Sequence, residues 1–346
     1  MIYLDYAATN PFTKYPCSKY GTFLNPNANY AYKEQKLLDE CANRVKASIG
    51  AKSGNVVFGG TSSQLIENLM NAIDDKIIDY RIITSGFEHD AIYRFSHGRL
   101  FELREIELAL RDANDNFIFP FICWQGVNNI TGEIFPIEQI GEICHEFNSF
   151  FICDMTAMIG KAPIPSNIDQ WCDCAIWSGH KLGTEGGIGA MWLSDKFNEW
   201  LVDFKLHGTP NLAGAMAVAD ATEDACKSPM KHYVELYMRL YGKLVNANIQ
   251  FQVISNKLKT CAINAIMFDD INADSLQQYL ASKQIYIGIG GSACASLHDF
   301  RVLNAYGLTN DEASRVVRVS FGEQTTYEDI DEFVNAVVEY KEKFVR

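Results

Sequence analysis

Short apolar runs alternate with longer amphipathic stretches along most of the chain. The runs are rich in Ile, Phe and Val and mostly lack alternation with polar residues, which is typical of strands covered on both faces. Alternating strands and helices predict an α/β fold with a mainly parallel sheet and helices on both sides. The predicted strands are Asn55–Phe58, Arg81–Ser85, Phe117–Trp124, Phe150–Cys153, Cys174–Trp177 and Gly189–Leu193. The predicted helices are Tyr32–Ile49, Ser63–Asp74, Ile137–Glu146 and Leu212–Ala225.

The pattern changes after a long predicted helix at Ser228–Asn248, which we expect to join two parts of the chain. The elements beyond it predict a smaller α+β unit. A length of 346 residues fits one large and one smaller domain, because a single core seldom grows this far. The predicted strands of the smaller unit are Ile249–Ile254, Ala262–Phe268, Ile285–Ile289 and Val316–Ser320, and its predicted helices are Asn272–Lys283, Asn310–Ser314 and Thr326–Phe344.

Composition and charge narrow the classes of function. The net charge of −13 argues against non-specific binding to nucleic acid or to anionic membranes, which both need clustered Lys and Arg. The first residues lack a secretory signal, and no apolar run reaches the roughly 20 residues that span a bilayer. Ten cysteines in such a chain indicate reduced thiols in the cytoplasm. Cys172 and Cys174 have no companion pair at zinc-ligand spacing, so we expect no metal site and mostly buried cysteines.

Polar residues follow several of the predicted strands. The loop Gly59–Gln64 offers Thr61, Ser62 and Ser63 at a strand-to-helix junction, where they would either bind a phosphate or cap the helix. His89 also follows a strand and would stack on a cofactor ring and exchange protons, unless it is merely packed. Asn129 would either face a ligand or belong to an Asx turn before Gly132.

Two further strand ends carry charged residues. Asp154 needs a partner, which would be a protonated ring nitrogen such as that of pyridoxal 5′-phosphate (PLP), a metal or an Arg. Lys181 follows Trp177, Ser178 and His180, and partial desolvation there would suit its amine to Schiff-base formation.

Two residues of the predicted small unit complete the candidates. Cys294 lies in a Gly/Ser/Ala loop, a setting that suggests an exposed and reactive thiol. Arg318 lies in an apolar strand and needs an anion, either a substrate carboxylate or a structural ion pair. A Schiff-base lysine, a ring-nitrogen aspartate, a carboxylate-binding arginine and a mobile thiol together suit a PLP enzyme that acts on a sulfur amino acid.

The sequence resembles the cysteine desulfurases, PLP enzymes of the class V aminotransferase group, nearly from end to end. The opening Tyr3–Thr9 resembles the family's YLDYAATT, and Asn25 and Pro26 resemble its NPSS segment. The fold implied is the PLP-dependent transferase fold type I, with a large domain around a mainly parallel sheet and a smaller C-terminal α+β domain. We accordingly predict an N-terminal segment at 1–15 associated with the small domain, a large PLP-binding domain at 16–245 and a small domain at 246–346.

The resemblance implies a role for each matching residue. Lys181 corresponds to the lysine that holds PLP, Asp154 to the partner of its ring nitrogen, and His89 to the histidine that stacks on the ring. Arg318 corresponds to the arginine that binds the substrate carboxylate, and Cys294 to the cysteine that takes the sulfur as a persulfide. The other implied contacts with PLP, its phosphate or the substrate come from Ser62, Ser63, Asn129, Ser178, His180 and, reaching the other subunit of a dimer, Thr209.

The activity implied is removal of sulfur from L-cysteine, giving L-alanine and an enzyme persulfide for a sulfur-acceptor protein, as in iron–sulfur cluster assembly. The expected protein is a cytoplasmic homodimer. The alternatives are selenocysteine lyase or another class V reaction, and a degenerate scaffold without catalysis. Two departures bear on them: Ile130 replaces the family's glutamate after Asn-Asn, and Ala157 replaces the glutamine that hydrogen-bonds the phenolic oxygen of PLP. The segment before Thr209 is also reduced, to 204–208, and that after Cys294 is shortened.

Overall fold

The structure, a computed structural model, describes residues 1–202, 204–255, 258–290 and 300–345. The chain divides into two compact units. The large unit comprises Pro11–Gly126 and Phe135–Ser228, and the small unit comprises Met1–Asn10, Val127–Ile134 and Pro229–Arg346.

The secondary-structure elements follow most of the predicted ones. The strands are β1 (Ile2–Leu4), β2 (Asn55–Gly59), β3 (Tyr80–Ile83), β4 (Phe119–Gln125), β5 (Phe150–Asp154), β6 (Cys174–Ser178), β7 (Gly189–Leu193), β8 (Phe251–Ile254), β9 (Ile263–Phe268), β10 (Ile285–Ile289) and β11 (Val316–Ser320). The helices are α1 (Tyr32–Ser48), α2 (Ser62–Lys76), α3 (Asp90–Tyr93), α4 (Ile106–Asp115), α5 (Ile137–Glu146), α6 (Asp195–Trp200), α7 (Leu212–Lys227), α8 (Lys231–Asn246), α9 (Ala273–Ser282), α10 (Arg301–Ala305), α11 (Asn310–Ala313) and α12 (Tyr327–Phe344). Short 3₁₀ helices occupy Cys17–Lys19, Leu103–Glu105, Ile168–Gln170 and Gly179–Leu182.

The large unit is built on a sheet with the strand order β2-β7-β6-β5-β4-β3. Strands β3, β4, β5 and β6 are parallel to one another, whereas β7 is antiparallel to both β6 and β2. Every residue of β5, β6 and β7 is buried, as their continuous apolar sequences predict. The order and directions place the carboxyl ends of β2, β4, β5 and β6 at one edge of the sheet.

Helix α2 shows how the sequence specifies one layer on this sheet. Thr61 begins it with a capping box, in which its hydroxyl accepts from Gln64 N and Gln64 Oε1 accepts from Thr61 N. Leu65, Leu69 and Ile73 recur at helical spacing and are fully buried in the main core cluster of the unit.

The small unit has a second sheet with the order β1-β10-β11-β9-β8. Strand β1 pairs in parallel with β10, and the other pairs are antiparallel. The short β1 is absent from the sequence-based prediction. It brings residues 2–4 to an edge of a sheet whose other strands come from beyond residue 250.

The predicted strand Phe117–Trp124 begins too early along the chain. Phe117 was assigned to the start of a strand because it is aromatic, but it has φ 59° and is 94% exposed. Its N–H donates to Asn114 O, and Ile118 N donates to Ala113 O, so these residues form the end of α4. The strand starts only at Phe119. Among the helices of the described ranges, none is long and apolar enough to cross a membrane.

Candidate functional site

Polar residues gather at the carboxyl edge of the large sheet. Gln125 pairs in register with Asp154, and Asp154 pairs with Ile176, two residues before the end of β6 at Ser178. Because β4, β5 and β6 are parallel, the residues that follow them emerge on the same side of the sheet. The sequence-predicted residues Asp154, Ser178 and Lys181 therefore belong to one edge.

Asp154 is the last residue of β5 and is 8% exposed. Its Oδ1 accepts a hydrogen bond of 2.8 Å from Thr156 N, and its backbone carbonyl accepts one of 2.9 Å from Gly126 N. Within the described part of the chain, no Lys or Arg lies within salt-bridge distance of this carboxylate. An anionic group this far buried is stabilised by a cationic partner, so the aspartate suits a protonated ring nitrogen.

Ser178 ends β6 and is 1% exposed. Its Oγ is buried and has no hydrogen-bond partner among the described residues. A buried hydroxyl without a partner costs about 1–3 kcal/mol, so such a group is commonly kept for a ligand that satisfies it. The sequence-based role of Ser178 as a phosphate ligand fits this atom.

Lys181 lies in the 3₁₀ helix Gly179–Leu182 that follows β6 directly, and its side chain is half-buried. The helix packs closely at its first residue, because a Cβ on Gly179 would lie 2.5 Å from Thr184 Oγ1 and 2.9 Å from Val218 Cγ2. Glycine at 179 thus permits the tight turn that delivers Lys181 to the sheet edge.

His180 is half-buried beside the lysine. Its pKa is lowered from 6.5 to about 4, first by burial and then by the positive charges of Lys181 and Lys161. The imidazole is therefore neutral at physiological pH. Lys161 is 6% exposed and was not predicted from the sequence, because it lies in a short turn with no motif around it.

The start of α2 belongs to the same edge. Gly59 at the end of β2 pairs with Gly189 of β7, and Gly189 pairs with Ser178 on its other side. Ser62 and Ser63 open the helix that starts three residues after Gly59, and the first N–H groups of a helix have no partner within it. Capping by Thr61 and anion binding are thus compatible, because the cap engages Gln64 N and leaves the N–H groups of Ser62 and Ser63 to a ligand.

His89 follows β3 and caps the short helix α3, with its Nδ1 accepting from Ala91 N at 3.2 Å. The preceding Glu88 is fully buried and accepts a hydrogen bond of 2.9 Å from Ser85 Oγ. Because Nδ1 is an acceptor, the neutral ring carries its proton on Nε2. The half-buried His89 is in this way held at the strand end.

In the small unit, the adjacent residues Asn128 and Asn129 make different contacts. Asn128 Oδ1 accepts from Ile130 N and Thr131 N, both at 2.9 Å, so the Asx turn is made by Asn128. Asn129 is 7% exposed, and its backbone carbonyl accepts from Arg318 Nη1 at 3.0 Å. Ile130 is buried in an apolar cluster with residues such as Met267. The departure at position 130 is therefore a core residue.

Arg318 is 1% exposed on β11, and its anion within the chain is Asp5. Nη2 lies 2.7 Å from Asp5 Oδ1, whereas Nε is buried without a partner among the described residues. The structural ion pair considered for Arg318 is thus present. Asp5 was given no role from the sequence, although its place directly after the apolar run of β1 is a signal that could have found it.

Thr209 is exposed in the loop before α7. The loop is tied down at Gly208, whose carbonyl accepts from Asn27 Nδ2 at 3.0 Å, and at Asn211, which caps α7. Thr209 lines a cleft of about 920 Å³ together with Gly59 and the start of α2. The loop therefore belongs to the same end of the large unit as Ser62 and Ser63.

Cys294 lies outside the described residues. Most of the cysteines within the described ranges are buried, including Cys172 and Cys174, and burial raises the pKa of the Cys174 thiol. In that part of the chain, no group of three or more His, Cys, Asp or Glu side chains is placed to hold a metal ion. None of these buried thiols has the exposed setting of a sulfur carrier.

Comparison with known proteins gives a consistent result. The aminotransferase class-V family model matches residues 2–206 and 197–333. The cysteine desulfurase IscS of Klebsiella pneumoniae (strain 342) is 28% identical over 385 residues, covering 97% of this chain and 91% of that protein. The cysteine desulfurase IscS of Shewanella oneidensis is 28% identical over 387 residues, covering 99% of this chain and 93% of that protein.

Solved structures share the fold. A NifS-like protein superposes with a TM-score of 0.82 at 21% identity, and the NifS-like protein from Rickettsia africae with 0.83 at 20%, each covering 99% of both chains. The predicted fold class, the α/β PLP-dependent transferase fold type I, is confirmed. Since the family model matches nearly the whole length, the chain belongs to the class-V aminotransferase family.

Proposed function

We propose that the protein is a PLP-dependent cysteine desulfurase, which removes sulfur from L-cysteine to give L-alanine and a persulfide on Cys294. Membership of the class-V family and the relatives named cysteine desulfurase support this proposal. The observation that carries it is that Asp154, Ser178 and Lys181 follow adjacent strands at one sheet edge, with Ser178 Oγ buried and lacking a partner among the described residues.

The residues at this edge fit the cofactor. Ser178 Oγ and the N–H groups of Ser62 and Ser63 would hold the phosphate, Asp154 would hold the protonated ring nitrogen, and Lys181 Nζ would bind the aldehyde carbon covalently. When bound, PLP withdraws electrons from the Cα of the substrate. His89 would stack on the ring, and the neutral His180 would lie beside the lysine without adding a positive charge.

Substrate binding and proton movement fall to other side chains. Arg318 would hold the substrate carboxylate, because its Nε–H has no partner among the described residues and a carboxylate supplies the acceptor. Asn129 would contribute to the same binding site. Lys181 Nζ would take the Cα proton, and His89 Nε2 would exchange protons around these steps.

The sulfur would pass to Cys294. Its thiolate would attack the substrate Sγ, so that an S–S bond forms while the C–S bond breaks. The electron pair of the broken bond stays with the carbon skeleton, which takes up a proton and leaves as L-alanine. The enzyme keeps the sulfur as a persulfide for a sulfur-acceptor protein, as iron–sulfur cluster assembly requires.

The departures leave this chemistry in place. Because residue 157 is alanine, no side chain there donates a hydrogen bond to the phenolic oxygen of the cofactor. This difference would alter the absorbance of the bound cofactor and the pKa of its linkage to Lys181. Ile130 packs in the core of the small unit. Thr209 would reach the phosphate of the second subunit in a homodimer. Reduced thiols fit a place in the cytoplasm.

The test is mass spectrometry of the PLP-loaded protein after incubation with L-cysteine. We expect one added sulfur atom on the peptide that contains Cys294, and an equal amount of L-alanine. The Cys294→Ala variant should lose both the added sulfur and the alanine. Cys261→Ala, at a partly exposed cysteine of the described residues, should retain both.

Other outcomes separate the alternatives. Full alanine formation by Cys294→Ala would contradict the persulfide mechanism, and a strong preference for selenocysteine would favour a lyase. A visible absorbance band from bound PLP should be lost in Lys181→Ala. If the wild-type protein shows no such band, the chain is a scaffold without catalysis.

A further inference from the structure

Arg318 is held from two sides within the small unit. Its Nη1 donates to Asn129 O at 3.0 Å, and its Nη2 donates to Asp5 Oδ1 at 2.7 Å. The guanidinium is 1% exposed, while the Asp5 side chain is 20% exposed. A guanidinium buried to this extent requires a charged partner to keep one orientation.

Asp5 is itself fixed by its backbone. Its carbonyl oxygen accepts hydrogen bonds from Ala8 N at 2.9 Å and from Tyr3 OH at 3.1 Å. The residue bridges Ser320 of β11, and Ser320 Oγ accepts from Ala7 N at 2.8 Å. The backbone of Asp5 is therefore held beside β11, and its carboxylate contacts the arginine.

Strand β10 leaves room for the ion pair of Asp5 and Arg318 because its residue 288 is a glycine. A Cβ on Gly288 of β10 would lie 2.7 Å from Asp5 Oδ1 and 2.9 Å from Arg318 Nε. Such distances are below van der Waals contact, so a side chain at 288 would displace the ion pair. Gly288 is thus part of what allows Asp5 and Arg318 to meet.

We propose that Asp5 is a positioning residue, which orients the Arg318 guanidinium so that its remaining N–H groups receive the substrate carboxylate. This inference rests on the proposed function, in that Arg318 is the group that binds that carboxylate. Asp5 takes one N–H of Nη2 and Asn129 takes one of Nη1, so three of the five N–H groups of the arginine make no hydrogen bond to a described residue. The Nε–H, buried without a described partner, is one of these.

The experiment measures equilibrium binding of L-alanine and of ethylamine to the PLP-loaded protein by calorimetry. Both probes carry the amine, but only L-alanine carries a carboxylate. We expect Asp5→Ala to raise the Kd of L-alanine about tenfold and to leave the Kd of ethylamine unchanged, because a lost charge-assisted hydrogen bond weakens binding by about that factor. Asp5→Asn keeps an acceptor oxygen, so it should restore part of the affinity.

Steady-state kinetics give the matching result. The KM for L-cysteine should rise about tenfold in Asp5→Ala while kcat changes by less than about twofold. The reason is that the lost contact stabilises the bound substrate and the transition state equally. The control is Asp329→Ala, which removes one of the two hydrogen bonds of the capping box of α12 in the same unit, where Asp329 Oδ2 accepts from Thr326 N at 2.8 Å. That variant should lose stability and keep the wild-type preference for L-alanine over ethylamine.

The remaining outcomes distinguish failure of the positioning role of Asp5 from failure of the proposed function. A lower Kd for L-alanine in Asp5→Ala would show that Asp5 competes with the substrate, and equal losses for both probes would show a purely structural role; either result overturns the inference. If the wild-type protein neither binds L-alanine nor forms it from L-cysteine, the proposed function fails. If it does both, and Arg318→Lys abolishes the selectivity while Asp5→Ala does not, only the positioning role fails.

Discussion

Asp154 Oδ1 accepts a hydrogen bond of 2.8 Å from the backbone N–H of Thr156, so a local turn fixes this buried carboxylate at the end of β5. An asparagine can accept the same bond without carrying the charge. Asp154→Asn should therefore keep the fold and lose the anionic partner of the protonated ring nitrogen.

We expect Asp154→Asn to form alanine from L-cysteine roughly 100-fold more slowly, the scale of losing one group that controls protonation. Its thermal unfolding without PLP should match that of the wild-type protein or exceed it, because an unpaired buried charge is removed. Alanine assays and calorimetric melting curves check both parts. Wild-type activity in this variant would contradict the role given to Asp154.

The unpartnered hydroxyl of Ser178 predicts effects of opposite sign with and without cofactor. Ser178→Ala should stabilise the PLP-free protein by about 1 kcal/mol, because it removes a buried donor that no described residue satisfies. The same variant should gain less stability than wild type when PLP is added. Melting temperatures with and without PLP provide the measurement.

Ser149→Ala is the matched control for that experiment. Ser149 is also 1% exposed, but its Oγ donates to Pro120 O at 3.0 Å. Its removal should destabilise the protein by about 1 kcal/mol in both states. Equal behaviour of the two serine variants would contradict a phosphate-binding role for Ser178.

Gly179 predicts a steric effect on the lysine turn. Gly179→Ala should cost about 1–3 kcal/mol, since the added methyl group would lie 2.5 Å from Thr184 Oγ1. The displaced turn should also weaken the visible band of bound PLP. Gly186→Ala in the following loop meets no heavy atom within 4 Å among the described residues, so it should leave both urea denaturation and the band unchanged.

The lowered pKa of His180, about 4, predicts acid sensitivity. Between pH 6.5 and 4 the unfolded chain binds a proton at this histidine and the folded protein does not, so stability falls as the pH is lowered through that window. His180→Asn should flatten this part of the pH profile of the melting temperature. His207→Asn, at an exposed histidine of the same unit, serves as the control. An unchanged slope in His180→Asn would show that the folded protein protonates this imidazole over the same pH range as the unfolded chain, which contradicts the lowered pKa.

The local sequence was sufficient to predict a strand or helix where that element is long or strongly apolar. The strands around Asp154 and Ser178 and the helix after Thr61 were predicted to within a few residues, because burial on both faces and capping leave a clear pattern. The polar residues at the strand ends were identified for the same reason. Their shared edge follows from parallel strand order, which the strand–helix alternation predicts.

The features that the sequence pattern could not predict depend on contacts between distant residues. Three apolar residues at 2–4 do not identify a strand until β10 pairs with them, and Asp5 has no evident role until Arg318 lies beside it, 313 positions along the chain. Phe117 was misassigned because an aromatic side chain favours strands, whereas the preceding helix end imposed a left-handed backbone there. The domain limits at 15 and 245 and the site roles stay predictions.

The pairing of β1 with β10 also sets an order of events during synthesis. The residues of the large unit all leave the ribosome before Pro229, whereas β1 leaves before them and meets its partner only after Ile285 has been made. Residues 2–4 therefore wait for β10 while more than two hundred other residues are added. The ion pair of Asp5 and Arg318 joins residues 313 positions apart, so it can form only after the whole large unit has been made, and the carboxylate recognition that we propose depends on this late contact.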